Sequence, residues 1–179
     1  MTMTPFHHAR ILTFAVALVN SGCGLVFTHR EKQPLRDPKI FKEISSDGKV
    51  ILEDGSTNRI YGIRDLSPVV RTLEDIRMFC HIAGLRDTVD IELKTKNPQS
   101  DPAADIFVAA AFYRCGNDSS VFVPRNRYQR ARLADLLLMS GLCKVDDAIH
   151  ERDPDTHTLF KHYESEAQIG HYGLWGNTK

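Results

Sequence analysis

The chain has 179 residues, 42% of them hydrophobic and 26% charged, which is the composition of a globular protein with one moderate core. Its 23 basic and 23 acidic side chains balance, and removal of a leader that contains Arg10 would leave 22 against 23. A near-neutral protein is poorly suited to broad, salt-driven binding of nucleic acid.

The first 22 residues have the pattern of a bacterial export signal. Arg10 precedes a mainly apolar run from Ile11 to Val19, and the small residues Ser21 and Gly22 precede Cys23. The apolar run is too short to span a hydrocarbon core of ~30 Å at ~1.5 Å per residue. We therefore predict a lipoprotein-type signal peptide at residues 1–22 and lipidation of Cys23, with ordinary secretion or an uncleaved leader as alternatives.

The residues after Cys23 are polar and turn-prone, so we interpret residues 23–40 as a tether. Gly24, which follows the cysteine, resembles the corresponding residue of outer-membrane lipoproteins. We expect an exported protein of the bacterial cell envelope, anchored in a membrane by its N-terminal lipid and facing the periplasm.

The remaining chain predicts strands followed by helices. Asp54-Gly55 lies between two β-rich runs, 49–53 and 58–63, and predicts a hairpin. Apolar spacing and alternation predict the other elements. These are a helix at 70–85 ended by Gly84, strands at 89–93 and 106–113, a helix at 128–140 ended by Gly141, and a helix at 156–169.

Three cysteines follow the tether: Cys80, Cys115 and Cys143. In an exported protein one disulfide among them is plausible, and the sequence does not choose the pairing. The alternative is that all three are small core residues. No Cys-x-x-Cys or paired Cys/His spacing suggests a metal site, and the four C-terminal histidines, His150, His157, His162 and His171, are too dispersed to suggest a ligand set.

Three segments of the C-terminal third occur in a familiar order. Leu136 to Val145 contains Gly-Leu-Cys-Lys-Val, 163–168 reads Tyr-Glu-Ser-Glu-Ala-Gln, and 171–176 ends in Gly-Leu-Trp-Gly. This order resembles the end of a staphylococcal-nuclease-like (thermonuclease) domain. The resemblance covers residues 45–176 and implies an α+β fold, a five-stranded OB-fold barrel with about three helices, closed by Leu174 and Trp175.

The resemblance also implies positions for a catalytic site. In this family, carboxylates bind Ca²⁺, two arginines bind phosphate and a glutamate acts on the attacking water. The segment Arg59-Ile60-Tyr61-Gly62-Ile63 is similar to the strand that carries the first arginine, so Arg59 is a candidate phosphate ligand. Asp47 and Asp65 are the candidate metal ligands, with Asp65 displaced by one position.

The rest of the family's catalytic set is missing. Val69 stands where the glutamate is expected, and Asp105-Ile106 stands where the segment with the second arginine belongs. Lys49, close to Asp47, would oppose a cation. The resemblance therefore implies a pseudoenzyme.

A basic patch precedes the predicted helix at 128–140, with Tyr128 among its arginines. Its members are Arg125, Arg127, Arg130 and Arg132. We interpret it as the solvated start of that helix, and the alternative is a site for phosphate, anionic lipid or a protein.

Two functions remain. The preferred one is a non-catalytic nuclease-fold module of the envelope that binds an unknown protein or ligand and needs no cofactor. The alternative is a Ca²⁺-dependent nuclease or phosphodiesterase that acts on nucleic acid with a modified site, built from Arg59, Asp65 and Glu74 or Asp75.

Overall fold

The structure is a computed structural model that describes residues 35–94, 102–111, 113–115, 122–124 and 128–176. The predicted signal peptide, Cys23, most of the tether, Arg125 and Arg127 lie outside the described residues.

The described residues form ten strands, three α-helices and two 3₁₀ turns. The strands are β1 (Lys39–Ile44), β2 (Lys49–Leu52), β3 (Thr57–Ile60), β4 (Ile63–Arg64), β5 (Gly84–Leu93), β6 (Ala103–Ala111), β7 (Tyr113–Cys115), β8 (Phe122–Pro124), β9 (Gln129–Arg132) and β10 (Lys144–Val145). The helices are α1 (Leu73–Phe79), α2 (Leu133–Met139) and α3 (Pro154–Ile169), and the 3₁₀ turns are Asp147–Ile149 and Gly173–Trp175.

Five strands close into a barrel in the order β3-β2-β1-β5-β6. The closing contact is a parallel pairing of β3 with β6, in which Arg59 pairs with Ala103 and Ile60 with Ala104. All other barrel pairings are antiparallel. The predicted α+β fold, a five-stranded OB-fold-like barrel with three helices, is confirmed.

Around the barrel, β9 pairs with the second half of β6, β4 pairs with β10, and β7 pairs with β8. The core lies inside the barrel and between the barrel and helices α2 and α3. Fully buried side chains from all of these parts meet there: Val50, Ile60, Val89, Ile106, Val108, Leu133, Leu136, Leu137, Leu138 and Phe160. This single core accounts for the one-domain organisation of the described chain.

The barrel begins earlier than predicted. Strand β1 starts at Lys39, within the predicted tether and before the predicted domain start at residue 45, and it buries Phe41 and Ile44. Its register shifts between Phe41 and Glu43 where it pairs with β2. This irregularity places the two buried residues three positions apart, so the alternation that reveals a strand is absent from the sequence.

The helix predicted at 70–85 is shorter and does not end at Gly84. Thr72 and Asp75 form a reciprocal capping box that starts α1, and the helix ends at Phe79 with Cys80 as its C-cap. His81 then takes a left-handed conformation with φ of 51°, and Gly84 begins β5.

The helix predicted at 128–140 is wrong in its first half. Residues Gln129–Arg132 are strand β9, in which Ala131 pairs with Val108, and only Leu133–Met139 is helical. Sheet pairing overrides the local preference of these arginines for a helix. The hairpin around Asp54-Gly55 is confirmed, and so is the last helix, which Asp153 caps ahead of Pro154.

Gly62 lies in the turn between β3 and β4 and offers a test of how α3 packs on the barrel. Its φ is +75°, and a Cβ there would lie 2.6 Å from Phe160 and 2.9 Å from Ile149. Gly55 has a similar φ of +82°, and a Cβ there would meet nothing within 4 Å.

We expect Gly62→Ala to lower the free energy of unfolding by about 3 kcal/mol, because overpacking adds to the left-handed strain. The control, Gly55→Ala, should cost about 1 kcal/mol, because it carries the strain alone. Urea denaturation of both variants measures the difference. Equal losses would mean that α3 does not pack tightly against this turn.

Candidate functional site

A pocket of about 190 Å³ lies where the β1–β2 loop, the β3–β4 segment and the residues after β10 meet. It brings together all three candidate site residues predicted from the sequence, Asp47, Arg59 and Asp65. Its full lining is Asp47, Gly48, Arg59, Ile60, Ile63, Arg64, Asp65, Leu66 and Asp146.

Backbone pairing fixes the positions of these side chains. The N–H of Arg59 donates to the carbonyl oxygen of Pro102 at 2.9 Å, as part of the contact that closes the barrel. Arg64 pairs with Lys144 on β10, and the following Asp65 takes a left-handed conformation with φ of 51°. Aspartate tolerates this conformation better than most residues, so the chain turns sharply there and Asp65 still lines the pocket.

The carboxylate of Asp47 already has partners within the protein. The hydroxyl of Ser45 donates a hydrogen bond to it, and the ammonium of Lys49 lies 3.1 Å from it. These two interactions, the Ser45 hydrogen bond first, hold the pKa of Asp47 below its usual value. Asp47 is therefore an ionised carboxylate whose charge Lys49 balances.

The other two pocket carboxylates are also engaged. Asp65 lies 3.7 Å from the guanidinium of Arg64 and 3.5 Å from the ammonium of Lys144. Asp146 accepts a hydrogen bond of 3.1 Å from the N–H of Ala148 and so caps the 3₁₀ turn Asp147–Ile149. Ion pairs of this exposed kind contribute little to stability, but they reduce the net negative charge that a cation would meet.

Arg64 was not predicted as a site residue, yet it connects the parts of the pocket. Its Nε donates to the carbonyl oxygen of Val145 at 3.1 Å, and a terminal nitrogen lies 3.9 Å from Asp147. Its side chain is still 53% exposed, so part of the guanidinium faces solvent. No sequence motif marks Arg64 or Asp146, because their roles depend on the pairing of β4 with β10.

Glu74 and Asp75, the acidic residues of the alternative catalytic set, lie in the first turn of α1 and have partners within that helix or its cap. Glu74 pairs with Arg77, and Asp75 completes the capping box with Thr72. Neither residue lines the pocket. Among the residues that the structure describes, no group of three or more His, Cys, Asp or Glu side chains could hold a metal ion.

The described part of the basic patch is paired. Arg130 lies 3.4 Å above the ring of Phe107 and pairs with Asp90 at 3.0 Å and with Glu92. Arg132 pairs with Asp135 at 2.8 Å. Both arginine side chains are only 13% exposed, so these two residues brace the sheet, and the predicted solvated helix start is wrong for them.

Cys80 and Cys143 are free, buried thiols. Burial raises the pKa of Cys80 to about 11 and raises that of Cys143 well above its usual value. Both therefore stay protonated at neutral pH, which makes them poor nucleophiles. The side chain of Cys115 lies outside the described residues.

The C-terminal turn packs less deeply than predicted. Leu174 is 39% exposed and does not close the core. Trp175 is half-buried against Gly141, whose carbonyl oxygen accepts a 2.8 Å hydrogen bond from the N–H of Leu174. The turn is held by this backbone contact and by the close approach of Cδ1 of Trp175 to Gly141.

No protein-family model matches the chain, and no curated protein matches it. Within the described residues, no helix is both long enough and apolar enough to cross a membrane.

Proposed function

We propose that the protein is a non-catalytic, nuclease-fold binding module of the bacterial cell envelope, exported and anchored by a lipid on Cys23. The observation that carries this proposal is the pocket in which Arg59 and Arg64 lie among carboxylates that have partners within the protein. Such a pocket is suited to recognition and lacks the groups that hydrolysis needs.

A nuclease of this family would need open carboxylates for Ca²⁺ and a general base. Ca²⁺ takes six to eight oxygen ligands, and here Asp47 and Asp65 each lie beside a lysine. Val69, in the place of the catalytic glutamate, carries no ionisable group and is 50% exposed. These features support binding without cleavage.

The two arginines suggest what kind of group the pocket recognises. A guanidinium presents several N–H donors in a plane and matches the oxygens of a carboxylate or phosphate. The side chain of Arg64 is 53% exposed, so part of its guanidinium is accessible to a ligand from solvent. We infer that the ligand, a protein segment or a small molecule, presents an anionic group to Arg59 and Arg64.

One observation favours the alternative function. Asp47, Arg59 and Asp65, which the family resemblance selects from separate segments, line the same pocket. If a ligand displaced Lys49 and Lys144, these residues would have the chemistry to hold Ca²⁺ and a phosphate of nucleic acid. The first experiment therefore tests for cleavage.

We expect the protein without its leader to cleave single-stranded DNA and RNA in Ca²⁺ no faster than its Arg59→Ala variant. The reason is the missing glutamate and second arginine, since groups of this kind contribute about 3–4 kcal/mol each to transition-state stabilisation. Release of fluorescent oligonucleotide fragments measures the rate. An active thermonuclease controls for the assay, and the variant controls for contaminating nuclease.

Cleavage that requires Ca²⁺ and is lost in both Arg59→Ala and Asp65→Ala would contradict the proposal and establish the alternative.

The anchoring part of the proposal has its own test. Cys23→Ser should move the protein from the membrane fraction to the soluble exported fraction, or leave its leader uncleaved, because a lipid-modified cysteine is then absent. Fractionation of cells and incorporation of a labelled fatty acid measure this. Cys115→Ser retains Cys23 and should behave like the wild type. Fatty-acid labelling that persists in Cys23→Ser would contradict the assignment.

A further inference from the structure

Two of the four C-terminal histidines, His150 and His157, lie in contact although they are seven positions apart in the chain. His150 follows the 3₁₀ turn Asp147–Ile149, and His157 lies in the first turns of α3. Their ring centroids are 4.8 Å apart, the rings are inclined at 66°, and the two Nδ1 atoms are 3.2 Å apart. These two of the four C-terminal histidines therefore lie in contact in the folded chain.

Asp147 determines which nitrogen of His157 carries a proton. Its Oδ1 lies 3.1 Å from Nε2 of His157 and 2.9 Å from the ammonium of Lys161. A carboxylate paired with a lysine ammonium is ionised and only accepts hydrogen bonds, so Nε2 of His157 is the donor. In the neutral ring, Nδ1 of His157 then has a lone pair directed at His150.

The two Nδ1 atoms are thus held within reach of one shared partner. A proton on Nδ1 of His150 makes a hydrogen bond to Nδ1 of His157 across the 3.2 Å between them. When both rings have the Nε2–H tautomer, their two Nδ1 lone pairs are instead available to one cation. The arrangement of a carboxylate that accepts from one imidazole nitrogen while the other binds a metal is common in zinc proteins.

From this geometry we propose that His150 and His157 bind one divalent transition-metal ion through their Nδ1 atoms, with Asp147 orienting His157 from behind. Zn–N bonds of ~2.0–2.1 Å at a tetrahedral angle place two ligand nitrogens ~3.3–3.4 Å apart. The observed 3.2 Å needs almost no movement. This site goes beyond the proposed function and does not depend on it.

The surrounding charges set the strength of the site. Lys161 and Arg64 lie 2.9 Å and 3.9 Å from Asp147, and their positive charges oppose a second cation nearby. Each of them contacts the carboxylate, not the imidazole nitrogens. His150 is exposed, so solvent completes the coordination of the ion.

Zinc titration of the full chain, purified without a histidine tag, tests the proposal. Isothermal titration calorimetry should show one Zn²⁺ equivalent that weakens at least ~10-fold in His150→Ala and in His157→Ala, because each variant removes one of two ligands. His162→Ala is the matched control. His162 is exposed, lies on the same helix as His157, and has its ring beside Tyr163. The His162→Ala variant should therefore bind Zn²⁺ like the wild type.

Asp147→Asn tests the orienting role separately. Loss of such a partner typically weakens metal binding about 10–100-fold, so this variant should keep the site but bind Zn²⁺ at least ~10-fold more weakly. Ca²⁺ at the same concentration should not compete, because imidazole is a poor ligand for it.

A second measurement uses only the wild type, so its result does not depend on whether the variants fold. In the wild type, Zn²⁺ should shift the imidazole ¹⁵N signals of His150 and His157 and leave those of His162 unchanged. The proposal is overturned if either alanine variant binds Zn²⁺ as tightly as the wild type. It is also overturned if the wild-type signals of His150 and His157 do not respond to Zn²⁺.

Discussion

The parallel contact between β3 and β6 is the constraint on which the rest of the structure depends. It closes the barrel through Arg59, Ile60 and Tyr61, and the N–H of Tyr61 donates to the carbonyl oxygen of Ala104 at 2.9 Å. Closure removes the exposed strand edges that an open sheet would leave. The same contact carries Arg59 into the pocket, so the barrel and the candidate site have one structural origin.

Helix α3 does not line the pocket but packs against the β3–β4 turn and β10, which do carry pocket residues or pair with them. Phe160 is fully buried beneath the β3–β4 turn. Glu164, which is 7% exposed, accepts a 2.9 Å hydrogen bond from the N–H of Val145 and pairs with Lys161 at 3.1 Å. A buried carboxylate with two donors is well satisfied, and this one fixes the strand that pairs with Arg64. The position of Arg64 in the pocket therefore depends on α3.

The sequence predicts those features whose causes are local. Asp54-Gly55 is sufficient for the hairpin, and Asp153-Pro154 marks the start of α3. The candidate residues Asp47, Arg59 and Asp65 line one pocket. Strands β1 and β9 escape prediction because a register shift and a run of arginines conceal their alternation. The pairing of Asp65 with Lys144 and the contact of His150 with His157 arise only from tertiary packing.

We propose that lysines balance the charges of two pocket carboxylates, Asp47 and Asp65, and that the pocket for this reason does not bind Ca²⁺. Calcium titration of ¹⁵N-labelled protein, followed by backbone amide shifts in two-dimensional NMR spectra, tests it most directly. We expect the amides of Asp47, Gly48 and Asp65, which line the pocket, to stay unshifted up to millimolar Ca²⁺. Saturable shifts confined to these three amides would contradict it.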